Sequence, residues 1–100
     1  MAKEQLSREE FEALVDPVVA GLEYVCDDAY AAKVDEVSAE QLQDVIQRIE
    51  TTISQFNDIT SRLVGGQLED VEKHRDDSIA YMQEMLPVLK QKLDGLSSKN

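Results

Sequence analysis

The chain has 100 residues, one cysteine, no tryptophan and a formal charge of −11. That length supports one modest core, and so acidic a surface excludes direct binding to nucleic acid or anionic lipid, which needs basic side chains. Two prolines and four glycines are too few turn residues for an all-β fold, so helices are expected.

Residues 1–6 read as a disordered tail. The start is polar and lacks the apolar run of a signal peptide. No stretch approaches the roughly 20 apolar residues of a membrane span. With Cys26 alone there is no internal disulfide, and a reducing, cytoplasmic location is expected.

Ser7 with Glu10 forms a capping-box pattern, so a first helix begins at Arg8. Phe11, Val15, Val18, Leu22, Val25, Ala29 and Ala32 follow one another at spacings of four and three, one apolar seam on a helix. Pro17 interrupts the helix at a cost of about 3 kcal/mol. The seam keeps its phase across Pro17, which predicts one kinked helix over 8–34. A short acidic link then turns the chain back.

Ser38 and Gln41 repeat the capping box and open a second helix over 39–64. Its seam is Leu42, Ile46, Ile49, Ile53, Phe56, Thr60 and Leu63. Gly65 and Gly66 stand where a left-handed C-cap would end it. A third helix follows over 68–94, with Leu68 and Val71 in its first turn. Its seam continues as Arg75, Ile79, Met82, Leu86, Leu89, Leu93 and Leu96, and Pro87 predicts a kink near Gln83. Lys90 and Lys92 lie near its end, as the helix dipole favours. Residues 97–100 read as a second disordered tail. The fold class is therefore all-α: one domain over 1–100, an antiparallel three-helix bundle. Two chains pairing their hairpins into a dimer is the alternative.

Catalytic and metal chemistry finds little to work with. His74, the one histidine, shares a helix face with Asp70 and Asp77, but one imidazole and two carboxylates on one helix make a poor metal set. Val71 occupies the position where a Glu-x-x-His pair needs its glutamate. Asp77-Ser78-Ile79 matches the tripeptide that carries phosphopantetheine in acyl carrier proteins. Ser78 falls inside a helical pattern, however, and not at a helix start. Cys26 stands beside Asp27 and Asp28, which discourage a thiolate. No metal, no cofactor and no enzymatic activity are expected.

Apolar residues off the seams point to contact with another protein. Tyr24 on the first helix, and Tyr81 and Val88 on the third, project away from the core stripe, with Met85 at its edge. Tyr81, Met85 and Val88 form a row of a kind enriched at contact surfaces. Residues 1–37 carry ten acids against three bases. Asp27 and Asp28 in that segment would steer a basic partner. The expectation is a small acidic protein-binding module (an adaptor, chaperone-like, immunity or inhibitor protein) using Tyr81, Met85, Val88, Tyr24, Asp27 and Asp28. The alternative is an acidic mimic of nucleic acid that blocks a DNA- or RNA-binding protein.

Overall fold

Two reciprocal capping boxes start the first two helices. In the computed structural model, which describes residues 5–97, the Glu10 amide donates to Ser7 Oγ at 3.2 Å and the Ser7 amide to Glu10 Oε1 at 3.3 Å. Ser38 and Gln41 repeat the exchange at 2.9 and 3.2 Å. Each box satisfies amides that a helix N-terminus otherwise leaves without partners. Helix α1 spans Arg8–Val34 and α2 spans Ala39–Ser61. Helix α3 consists of Gly65–His74, a π-helical turn at Arg75–Ile79, and Ala80–Ser97.

Side-chain contacts fix the chain directions. Arg75 meets Asn57 while Lys90 meets Glu50, so α3 advances as α2 recedes. Leu6 meets Gln67, Cys26 meets Ser78, and Lys92 meets residues 32–35, all in parallel order. The result is an up-down-up bundle of 54 × 22 × 19 Å, with every pair of helices in contact. This is the all-α three-helix architecture that the seams predict. Helix α1 passes through Pro17 unbroken. Pro17 and Ala13, whose carbonyl loses its helical donor, both lie on the exposed side, where the carbonyl is open to solvent. Pro87 and Gln83 repeat that arrangement in α3.

Helix α2 is the spine. Leu42, Ile49 and Phe56 on the helix, and Leu63 just past its end, are spaced by seven and are between 0% and 3% exposed. Val45, Thr52 and Ile59 flank them on one side, and Ile46, Ile53 and Thr60 on the other. A helix held by one neighbour buries one narrow stripe, whereas contact with two widens it on both sides.

Several boundaries differ from the sequence expectation. Helix α2 stops at Ser61, not residue 64, because the last turn is turned inward on itself. Thr60 Oγ1 donates to the Asn57 carbonyl at 3.0 Å and Ser61 Oγ to the Asp58 carbonyl at 2.6 Å. Such hydroxyl bonds compete with continuation of the helix. Arg62 caps it in a right-handed conformation, so the glycines do not serve as its left-handed C-cap. They open α3 three residues earlier than expected, Gly65 at φ +59°. At its far end α3 runs on to Ser97. Leu6 is no frayed tail: its amide donates to Gln67 Oε1 at 2.9 Å and its carbonyl accepts from Gln67 Nε2 at 2.8 Å. The expected disorder at 1–4 and 98–100 lies outside the described residues.

The π-turn corrects the phase of α3. Val71 and Ile79, 2% and 0% exposed, both face the core although they are eight residues apart. In a regular α-helix eight residues overshoot two turns by about 80°. The π-turn absorbs the extra residue, with the Ala80 amide reaching back to the Arg75 carbonyl. Arg75 fills the seam position between Val71 and Ile79. Its guanidinium lies 5.0 Å from the Phe56 ring centroid, donates to Asn57 Oδ1 at 3.1 Å, and grips both Glu72 oxygens at 2.7 and 3.2 Å. That grip holds the Glu72 carboxyl below its ordinary range.

Lys92 pins α3 to the end of α1. Its ammonium donates to the carbonyls of Ala32, Lys33 and Asp35 at 2.7, 3.2 and 2.7 Å. The charge completes the C-terminus of α1, whose last carbonyls lack helical partners, and not that of its own helix.

Gly65 and Gly66 are expected to respond oppositely to alanine. Gly65→Ala forces a side chain into the left-handed region and should cost about 1–2 kcal/mol. A Cβ on Gly66 meets nothing within 4 Å, so Gly66→Ala should stabilise by about 0.5–1 kcal/mol. Urea midpoints of the two variants check this. Equal destabilisation by both would contradict the assigned turn.

Candidate functional site

The three grooves of the bundle differ in charge. Between α1 and α2, Arg48 bridges Asp28 at 2.8 Å and Asp44 at 3.2 Å. Between α2 and α3, Lys90 stands 3.7 Å from Glu50, and Arg75 bonds Asn57. Among the described residues no ion pair joins α1 to α3 beside the π-turn. Two adjoining depressions there are lined by Cys26, Asp27, Tyr30, Tyr81 and by Val19, Ala20, Glu23, His74, with Asp77 and Ser78 common to both. Carboxylates come from both walls, Glu23 and Asp27 from α1 and Asp77 from α3. Among the described residues no lysine or arginine lines either depression.

The floor of the groove is neutral. The Cys26 thiol donates to the Ser78 carbonyl at 3.7 Å, a weak bond that ties α1 to the π-turn. Burial pushes the Cys26 pKa up, and Asp27 and Glu23 add to the shift. Burial also raises the Tyr81 pKa, aided by Cys26, Tyr30 and Asp27. Both groups therefore hold their protons near neutrality, and a thiolate nucleophile is disfavoured. Among the described residues no three His, Cys, Asp or Glu side chains converge as a metal set.

Large exposed apolar side chains cluster on the same two helices. Tyr24 is 72% exposed, Tyr30 58%, Val34 55% and Val88 39%, and none of the four belongs to α2. Tyr30 and Val34 are one turn apart on α1, and Tyr81 and Val88 two turns apart on α3. Tyr30, Val34 and Val88 thus flank the groove lined by Glu23, Asp27 and Asp77, whereas Tyr24, one turn before Asp28, lies toward the α1–α2 side.

The residues expected from sequence are only partly brought together. Tyr81 and Asp27 line the groove, Val88 is exposed on α3, and Tyr24 is exposed on α1. Met85 is 4% exposed and belongs to the core, so the expected Tyr81-Met85-Val88 ridge is interrupted at its middle. Helix α3 packs on two helices, and its buried stripe is wide enough to take in Met85. Asp28 points into the α1–α2 groove, where Arg48 holds it. Tyr30, Val34, Glu23 and Asp77 went unassigned. Tyr30 and Val34 could have been found by the projection that singled out Tyr24, since all three lie off the Val15–Ala32 seam.

Charge placed along the ridge separates core from surface. Met85→Glu buries an unpaired carboxylate and should unfold the domain or cost upwards of about 3 kcal/mol. Val88→Glu should change stability by less than about 1 kcal/mol. Thermal melts of the two variants check this, and similar losses in both would mean that Val88 is core as well. No family model, curated protein or solved structure matches the chain.

Proposed function

We propose that this chain is a non-catalytic protein-binding module, of the adaptor, chaperone-like, immunity or inhibitor kind, that docks its partner on the α1–α3 side. One observation carries the reading: among the described residues the large apolar side chains left in water all lie on α1 and α3, and three of them, Tyr30, Val34 and Val88, flank the groove between those helices. Grouped apolar exposure costs solubility and marks contact surfaces. The formal charge of −11 suits a partner with a basic surface, approached faster at low salt. A reducing, cytoplasmic setting belongs to this proposal and is motivated by the lone Cys26 thiol. No helix among the described residues is long and apolar enough to cross a membrane. The nucleic-acid mimic draws less support, because Asp28, Asp44, Glu50, Asp58 and Glu72 are engaged by arginine or lysine.

Affinity capture from the native host, with partners identified by mass, tests the reading when three baits are compared. Wild type and Gln47→Glu, altered on the exposed side of α2, should retain the same partner. Tyr30→Glu should lose it while melting within a few degrees of wild type. An identical set of proteins retained by all three baits would overturn the proposal.

A further inference from the structure

The α1–α3 side presents no strand edge, since the described backbone is helical apart from short links. A partner therefore cannot add a strand, and recognition must run through side chains lying in a groove between two parallel helices. That geometry suits a further helix. The apolar strips that flank the groove are short. Tyr30 to Val34 covers about 6 Å of α1, and Tyr81 to Val88 about 10 Å of α3. An occupant of about three turns, with apolar residues at i, i+3 or i+4, and i+7, would span them.

Charge selects the occupant. The other two grooves contain carboxylates closed by Arg48 and by Lys90. Here Glu23, Asp27 and Asp77 line the depressions from both walls with no lysine or arginine among the lining residues. Lys92, farther along the same pair of helices, is occupied by three carbonyls. Like charges on facing walls repel one another, and a cation placed between them removes that repulsion while gaining attraction from each side. Tyr30 and Tyr81, on opposite walls of the same depression, offer aromatic faces and apolar area to the aliphatic stem of a lysine or arginine. A second copy of this chain is a poor occupant, because it would bring the same carboxylates to the same place.

We infer that the α1–α3 groove takes a basic amphipathic helix of a partner protein, its apolar side chains on Tyr30, Tyr81, Val34 and Val88 and a lysine or arginine between Asp27 and Asp77. This rests on the protein-binding reading above and narrows the partner to one chemistry.

Three synthetic peptides of about 18 residues, long enough to hold a helix, provide the test. One carries leucines at helical spacing on a lysine- and arginine-rich background. The second keeps the leucines but replaces the bases with glutamate. The third scrambles the first so that the leucines no longer share a face. Amide shifts of the isotope-labelled protein are followed during titration. The basic peptide should perturb α1 over 20–34 and α3 over 77–88. Asp27→Asn with Asp77→Asn should weaken it about tenfold and flatten its salt dependence. Equal binding of the glutamate peptide at the same amides would overturn the basic-helix assignment and leave an apolar docking face standing. Equal binding of the scrambled peptide, or shifts spread over the acids of α2, would reduce the effect to bulk charge and also overturn it. Absence of any shift with all three peptides would count against the groove itself, and so against the docking reading.

Discussion

A helix that packs against two others must keep its apolar residues in phase with both along its whole length. In this bundle α2 sets the reference, because Leu42, Ile49 and Phe56 repeat every seven residues along its centre and Leu63, just past its end, continues the line. A seven-residue repeat stays close to one face of an α-helix, drifting by about 20° per heptad. Helix α3 reaches the same core with one residue too many between Val71 and Ile79. The π-turn at Arg75–Ile79 removes that mismatch, and Arg75 occupies the gap in the seam with a guanidinium over Phe56. Without the correction, either the first turns of α3 or its long C-terminal part would face water.

The polar contacts between helices fix register and charge more than they supply stability. Asp28–Arg48 and Glu50–Lys90 are about half exposed, and ion pairs of that sort contribute about 0–1 kcal/mol each. Lys92 and Gln67 act differently, since each uses several bonds to hold backbone groups at one end of the bundle. Arg48 and Lys90 thus bring a cation to the carboxylates of two grooves, while Lys92 and Gln67 tie α3 to α1 at the two ends of the third. The third, beside the π-turn, keeps carboxylates and tyrosines in water. The same turn that rescues the core thereby shapes the surface: it brings Asp77 and Ser78 against α1, where the Cys26 thiol finds the Ser78 carbonyl.

Much of the fold was legible in the sequence. The Ser7–Glu10 and Ser38–Gln41 capping boxes located two helix starts, because those bonds form between residues three apart. The seams on α1 and α2 were legible for the same reason: local periodicity becomes burial. What escaped was non-local. Lys92 looked like a last-turn charge of its own helix, yet its partners lie 57–60 residues away. Met85 looked like an edge residue because a single seam was drawn through Leu86. Helix α3 in fact buries Met85, while Leu86 faces the α2 side near Ile53. The π-turn had a signature that was overlooked, two successive steps of four from Val71 through Arg75 to Ile79 with a charged residue in the middle. The candidate site was read less well. Tyr81 and Asp27 meet in one groove, but Asp28 and Met85 lie elsewhere, since no pattern within one helix reveals which groove a charge will enter.

Single-residue deletions test the phase account most directly. Asp76 is exposed within the π-turn, and its removal leaves Val71 and Ile79 seven positions apart, the spacing a regular helix needs. Gln83 is also exposed on α3, but its removal rotates every later side chain by about 100°. The protein lacking Asp76 should therefore remain folded, with a melting midpoint within a few degrees of the parent or above it. The protein lacking Gln83 should lose cooperative unfolding. Collapse of both deletion variants, or survival of both, would contradict the claim that the π-turn is a one-residue phase correction on which the core depends.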